Sequence, residues 1–415
     1  MKKTFLILVA LMGFHCYSWA QESKKPVVIL ISLDGFRYDY VERFQPENLS
    51  RFIAGGTAAT SLIPSFPTKT FPNHYTIATG MKPEHHGIVD NGFYDPKRDE
   101  EYHHNNPTYS TDGSWYGGTP LWVLAEQNGM KAASFFFVGS EADVQGVRPS
   151  YYFKYDGRIN NLTRVSQVFE WLQLPEEEMP QLITMYFSDM DDVGHSFGPL
   201  NDEQLNLKLQ QLDGVLGTLM EGVKSLDLEV NIFIVSDHGM MEVPFENFFA
   251  LDEITEGLDL KVVNNGALAH LYLDNPKKKK KVLKKLNKRE GPFKVVDVEE
   301  SEYYQDLSLF GDRIGDILIL PELGFYIASN QEGLARVKAN MARAGSNYYG
   351  GHGFSPNYQQ MHGIFYANGS EIKEGLTIES FENIHIYPLI CQILGLPIPE
   401  DIDGELQVLA PILKD

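Results

Sequence analysis

The chain has 415 residues, 43% hydrophobic and 22% charged, a balance that excludes disorder as the main state. Two cysteines are too few for a disulfide scaffold. Lys and Arg number 35 against 56 Asp and Glu, and a net charge of −21 argues against a generic nucleic-acid binder and, taken alone, against an anionic substrate.

Lys2 and Lys3 precede an apolar stretch, Phe5 to Phe14, and Ser18-Trp19-Ala20 follows. This is the pattern of a secretory signal peptide over residues 1–20, with cleavage expected after Ala20. The apolar run is too short to span a bilayer, so the mature chain is expected to be exported, periplasmic or secreted, without a transmembrane segment. Cleavage removes Cys16 and leaves Cys391 with no intramolecular partner.

Val27 to Leu33 is a continuous apolar run, the signature of a strand buried on both faces. Strand and helix patterns then alternate. Pro46 to Ala54 reads as helix, Ala58 to Ile63 as strand and Thr119 to Asn128 as helix. Ala132 to Val138 reads as strand, Thr163 to Leu172 as helix, Leu182 to Phe187 as strand, Glu203 to Leu226 as helix and Val230 to Val235 as strand. Such alternation predicts an α/β fold with a mostly parallel sheet covered by helices on both faces. Residues 243–345 change texture, with short strands (Ala269 to Leu273, Phe293 to Val298, Asp316 to Leu320), and read as an inserted α+β cap. The β/α pattern resumes at Gly363 to Tyr366 and Ile384 to Leu394, so 21–242 and 346–415 are read as one catalytic domain. Nine basic residues between Lys277 and Arg289, interrupted by Val282, Leu283 and Leu286, fit a solvated helix with one buried stripe.

Ligands of open α/β sheets gather at the carboxyl ends of strands. Here those ends run into Asp34-Gly35, Asp191-Asp192-Val193-Gly194-His195 and Ser236-Asp237-His238-Gly239, and a later segment holds Gly351-His352-Gly353. A lone Asp there often caps a helix. Three carboxylates and three histidines instead suit a pair of divalent ions with mixed ligands, zinc above all. Pro67 to His74 supplies a nucleophile: Pro72 suits a first helical turn and puts Thr70 at or near the N-cap, where the helix offers positive potential to a phosphate.

With these motifs on the page the sequence resembles the ectonucleotide pyrophosphatase/phosphodiesterase family of the alkaline phosphatase superfamily. The resemblance runs from about Pro26 to Leu406. It rests on LDGFR (Leu33 to Arg37), PTKTFPNHYTIATG (Pro67 to Gly80), EHHGIVDN (Glu84 to Asn91), DDVGHSFGP (Asp191 to Pro199), SDHGM (Ser236 to Met240) and GGHGF (Gly350 to Phe354). It implies an alkaline-phosphatase-like three-layer sandwich with two Zn²⁺ per chain. Asp191, His195 and His352 would hold one ion; Asp34, Asp237, His238 and the Thr70 oxygen would hold the other. Asp237 and His238 are adjacent, so they can share an ion only if the chain turns, which Gly239 permits. Thr70 would be the nucleophile, Asn91 a donor to a phosphate oxygen, and Phe71 and Tyr155 the walls of a nucleobase slot. The reaction implied is hydrolysis of a nucleotide pyrophosphate or phosphodiester through a phosphothreonine, releasing a nucleoside 5′-monophosphate.

Alternatives within the superfamily are a lipid-headgroup phosphodiesterase and a phosphomonoesterase; outside enzymes, a secreted zinc-dependent binding protein. Relatives usually carry Trp-Pro where Phe137-Val138 precede Gly139-Ser140, so the base pocket is expected to differ. His74, His85, His86, His103 and His104 are read as structural or exposed. Two divalent ions would make the pocket locally hospitable to an anion despite the acidic chain.

Overall fold

The computed structural model describes residues 25–344 and 347–414; the expected signal peptide, 1–20, lies outside them. An eight-stranded sheet organises the chain, in the order Leu376–Ile378, Thr57–Ala59, Phe365–Gly369, Val230–Val235, Val27–Leu33, Leu182–Phe187, Ala132–Phe135, Tyr151–Phe153. Every neighbouring pair is parallel except those made by Phe365–Gly369, which runs antiparallel to both its neighbours.

Val27–Leu33 is buried along its whole length because it feeds both faces. Val28 and Leu30 join a core that includes residues of the helices Thr70–Thr79, Leu121–Gln127 and Ile386–Leu394. Val27, Ile29, Ile31 and Leu33 join the opposite core, with Leu49, Val165, Leu205 and Leu212 from the helices Glu47–Ala54, Asn161–Leu172 and Asp202–Lys224. Successive side chains of a strand point to opposite faces, so a doubly covered strand must be apolar throughout.

Among the differences from the sequence reading, three concern strands of the main sheet. The expected strand Ala58 to Ile63 divides into Thr57–Ala59, in the main sheet, and Leu62–Ile63, which pairs with Phe381–Glu382. The expected Ala132 to Val138 strand stops at Phe135, because Phe136 adopts φ 69° and turns the chain. The last antiparallel strand starts at Phe365, two residues later than expected.

Met241–Pro244 pairs antiparallel with Tyr348–Gly351, so the segment between them leaves and returns through one short ladder. That segment holds a four-stranded antiparallel sheet, ordered Lys261–Asn264, Ala269–Tyr272, Ile317–Pro321, Phe293–Asp297, with its own core of Leu251, Leu271, Leu286, Ile317 and Ile319. The lysine-rich helix Lys279–Leu286 buries Val282 and Leu286 against it. Its neighbouring charges include an ion pair of Lys278 with Asp259 and one of Lys279 with Asp297.

Candidate active site

The three central strands end side by side: Leu33 is in register with Phe187, and Ser32 with Val235. Each therefore delivers its following residues to one place. Asp34 follows the first directly. Gly35 takes φ +64°, and a Cβ on it would stand 2.8 Å from the Asp191 Cα, so only glycine allows this approach. Asp191 and His195 lie on the helix Asp189–Phe197, one turn apart, and therefore on one face. After Val235 the Ser236 hydroxyl donates to the His238 carbonyl at 2.8 Å, so the chain bends and Asp237 and His238 turn inward together. Gly239 serves here by closeness, since a Cβ would meet the Gln360 carbonyl at 2.3 Å. The ladder Met241–Pro244 with Tyr348–Gly351 then brings His352 to the same place.

The three histidines share one arrangement. Nδ1 of His195 lies 2.6 Å from the Gly350 carbonyl, that of His238 2.8 Å from the Gly239 carbonyl and that of His352 2.9 Å from the Thr68 carbonyl. Carbonyls only accept, so each Nδ1 carries the proton and each Nε2 presents a lone pair. Those Nε2 atoms face carboxylates: His195 is 3.3 Å from Asp191 Oδ2, and His238 is 3.1 Å from Asp237 Oδ2 and 3.4 Å from Asp34 Oδ1. His352 Nε2 stands 3.9 Å from Asp191 Oδ1. Burial pushes the His238 and His352 rings below the usual histidine range, which keeps them neutral.

Asp34 Oδ1, Asp191 Oδ1 and Asp237 Oδ2 are buried with no hydrogen-bond partner. Burial, then the Asp237 and Asp191 charges, push the Asp34 carboxyl well up. Lone pairs of neutral imidazoles facing orphaned carboxylate oxygens fit divalent cations with mixed N/O ligands.

Among the described residues two triples place ligand atoms within 4.8 Å of one another: Asp191, His238, His352 and Asp34, His74, Asp237. The expected sets had His195 in the first and His238 in the second. His74 is already engaged: Nε2 meets the Ser32 hydroxyl at 2.8 Å, and Nδ1 lies 2.9 Å from the Thr70 carbonyl and 3.3 Å from Asp237 Oδ2. With both ring nitrogens engaged, it is spent as a ligand. His238 Nε2, within reach of Asp34 and Asp237, fits the second set as well as the first.

Thr70 is the first residue of the helix Thr70–Thr79, not its cap; extended Lys69 occupies the cap position. Its hydroxyl is therefore free of capping duty and lies 3.4 Å from His238 Nε2. Asn91 Oδ1 accepts from the Phe71 N–H at 2.9 Å, a bond that engages its carbonyl oxygen and not its amide NH₂. A cavity of about 660 Å³ opens from Asp34, Thr70 and Asp191, with Phe71 and Tyr155 in its lining. Phe71 packs on His104 with ring centroids 5.2 Å apart, and Tyr155 packs on Phe136 at 5.2 Å. Phe136, Phe137, Val138 and Gly139 also line the cavity, so the departure noted in the sequence lies on its wall.

The sequence reading gave four groups no role at the site. His104 lines the cavity rather than standing apart from it. His74 was readable in principle, being four residues from Thr70 on one helix. Tyr186 donates to Asp34 Oδ2 at 2.6 Å, and buried Lys69 meets the Tyr326 hydroxyl at 3.1 Å; neither carries a sequence signal.

The family model described as type I phosphodiesterase / nucleotide pyrophosphatase matches residues 28–355. The chain is 33% identical over 405 residues to human ectonucleotide pyrophosphatase/phosphodiesterase family member 1, covering 94% of this chain but 42% of that protein, so it spans less than half of that relative's length. An uncharacterised pyrophosphatase/phosphodiesterase of Schizosaccharomyces pombe is 33% identical over 396 residues, covering 89% of this chain and 77% of that protein. The solved structure of murine ectonucleotide pyrophosphatase/phosphodiesterase 5 superimposes with a TM-score of 0.84 at 25% identity, covering 94% of this chain and all of that one. An inactive threonine-to-alanine form of the murine protein in complex with AMP matches equally well. The fold is thus alkaline-phosphatase-like, with a mixed sheet between two helical layers.

Proposed function

The chain belongs to the type I phosphodiesterase/nucleotide pyrophosphatase family, and from that premise we propose that it hydrolyses nucleotide pyrophosphate or phosphodiester bonds through a covalent phosphothreonine on Thr70. The observation that carries this reading is the convergence of three Nε2 lone pairs and three orphaned carboxylate oxygens beside the Thr70 hydroxyl, at the mouth of an aromatic-walled cavity. Binding of AMP by the murine relative agrees with it.

Two zinc ions would be held by Asp191, His195 and His352 and by Asp34, Asp237, His238 and Thr70 Oγ1. When bound they supply Lewis acidity, which polarises the phosphate and makes the threonine hydroxyl and water nucleophilic near neutral pH. Thr70 Oγ1 then attacks phosphorus, the leaving group departs on the opposite side, and a phosphothreonine diester forms. Asn91, fixed through its Oδ1 by the Phe71 N–H, donates its amide to a non-bridging oxygen as charge grows there. The positive end of the helix Thr70–Thr79 favours the same charge. Phe71 and Tyr155 hold the nucleobase between their rings. Water then attacks phosphorus from the side the leaving group left, Thr70 is regenerated, and a nucleoside 5′-monophosphate is released. Two in-line displacements retain configuration at phosphorus.

We read residues 243–345 as an insertion into the catalytic unit formed by 21–242 and 346–415; departure and return through one ladder supports this. The leader pattern over residues 1–20 supports export to the periplasm or beyond. Among the described residues no helix is long and apolar enough to cross a membrane.

The test is a panel with zinc supplied: a nucleoside 5′-(p-nitrophenyl) phosphate, p-nitrophenyl phosphate and glycerophosphocholine. The nucleotide diester is expected to give the highest kcat/KM. A preference for the monoester or the choline diester would move the reading to another hydrolase of this superfamily, and no turnover at all would favour a binding protein.

A further inference from the structure

The residue before Asn91 is built into a buried relay that the proposed mechanism does not use. Asp90 is fully buried, and its two oxygens do different things. Oδ1 accepts the Asn91 backbone N–H at 2.6 Å, and Oδ2 lies 3.0 Å from His270 Nε2. His270 is also fully buried and comes from the strand Ala269–Tyr272 of the small sheet, 180 residues further along. Its Nδ1 lies 2.9 Å from the Ile314 carbonyl. Both ring nitrogens thus face acceptors. Its two ring contacts hold His270 between the Ile314 carbonyl and the Asp90 carboxyl group, and Asp90 passes that hold to the Asn91 backbone.

Removing one partner of a fully buried hydrogen bond is costly, because the other is left desolvated and unpaired. The pair therefore resists displacement of the chain at Asp90. Around it the same small sheet grips the neighbouring backbone. Asn265 donates its amide to the Gly92 carbonyl at 2.8 Å, and the Tyr272 hydroxyl accepts the Tyr94 N–H at 3.1 Å. His270 and Tyr272 share one face of their strand, turned toward residues 90–94, while Ala269 and Leu271 fill the small sheet's own core.

We propose that His270 is a positioning residue for the phosphate-binding amide of Asn91, acting through Asp90. The inserted sheet thereby sets the placement of a donor on the catalytic unit. This rests on the reading above that Asn91 donates to a phosphate oxygen. Donors of this kind act only when held where charge develops, and a displacement of about 1 Å can cost about a hundredfold in rate.

The experiment is a double-mutant cycle on a nucleoside 5′-(p-nitrophenyl) phosphate, with zinc content and thermal midpoint measured on every variant. His270→Asn keeps a donor near the Ile314 carbonyl but is too short for Asp90; His270→Gln places a donor near the original Nε2. Expected are a loss in kcat/KM of about tenfold or more for His270→Asn, carried by kcat, and recovery of most of it in His270→Gln, at unchanged zinc content. In an Asn91→Ala background the His270→Asn change should cost less than about twofold, since the amide it positions is gone. Wild-type kcat/KM in His270→Asn, or an equal loss in both backgrounds, overturns the proposal. Wild-type kcat/KM in Asn91→Ala overturns the phosphate role of Asn91 and this proposal with it, while Thr70 is tested separately. If His270→Asn does not fold, Asp90→Asn takes its place in the same cycle with the same expectations.

Discussion

The Thr70 hydroxyl oxygen lies 3.4 Å from His238 Nε2, and that nitrogen also faces Asp237 at 3.1 Å and Asp34 at 3.4 Å. One lone pair turned toward two carboxylates and a hydroxyl marks the point where a cation would bind them all. Thr70→Ala removes the nucleophile and leaves both carboxylates and all three histidines in place. The variant is expected to fold and to hold zinc while losing roughly 10³-fold or more in kcat/KM on a nucleotide diester. Turnover within about tenfold of wild type would sink the nucleophile assignment.

Removing metal should act on stability as well as turnover. Three carboxylates and no countercharge leave Asp34 unfavourable in its ionised form, as its strongly raised carboxyl records, with burial as the main cause. Ligand bound only to the folded state stabilises it by about 4 kcal/mol at a thousandfold excess over Kd. Chelator-treated protein is therefore expected to lose activity and to melt lower, and added zinc should restore both, with metal analysis returning two ions per chain. Full activity in protein shown to be metal-free would refute the bimetal reading.

How far the sequence could be read depended on how local each signal was. Val27–Leu33 was legible because burial on both faces leaves a continuous apolar run, and Asp34 followed from its place at the strand's end. Asp191 and His195 were legible as a pair by their spacing. The split at Thr60 and Ser61 and the left-handed Phe136 were not, because the same residues suit an unbroken strand and only packing decides. Likewise nothing local marks His270 as the partner of Asp90; the fold brings together groups that are far apart in the chain.

The two aromatic walls should differ in weight. Phe71 is half-buried and backed by His104, whereas Tyr155 is 52% exposed and lies on Phe136. Stacking on a base contributes about 1–3 kcal/mol per ring by alanine substitution. Phe71→Ala is expected to lower kcat/KM on the nucleotide diester by about tenfold or more, and Tyr155→Ala by less, because an exposed ring is ordered less firmly. Neither should change turnover of p-nitrophenyl methyl phosphate, which carries no nucleobase. Equal losses on both substrates would show that these rings support the site without holding a base.

A pH-dependent tie fastens Asp403 to the short helix Pro83–His86. Both Asp403 oxygens lie 2.8 Å from His85 Nδ1, and Oδ2 also accepts the Lys82 N–H at 2.6 Å. The Asp403 hydrogen bond raises His85, with the Asp403, Glu84 and Asp306 charges helping against burial. Burial opposes ionisation of Asp403, yet the hydrogen bonds from His85 and Lys82 hold its carboxyl below the usual range. A histidine raised on folding stabilises fully below its unfolded value of about 6.5, and that contribution is lost as pH rises through the folded value. A carboxyl lowered on folding stabilises above its unfolded value of about 3.9, and that contribution is lost as pH falls through the folded one. The pair therefore contributes most between about pH 4 and 6.5. Partial exposure limits it to about 1 kcal/mol. His85→Gln should lower the thermal midpoint by about 1 °C at about pH 5.5, and the gap from wild type should shrink as pH rises above 7. A gap that stays constant from pH 5 to 9 would mean that His85 contributes by packing and not by charge.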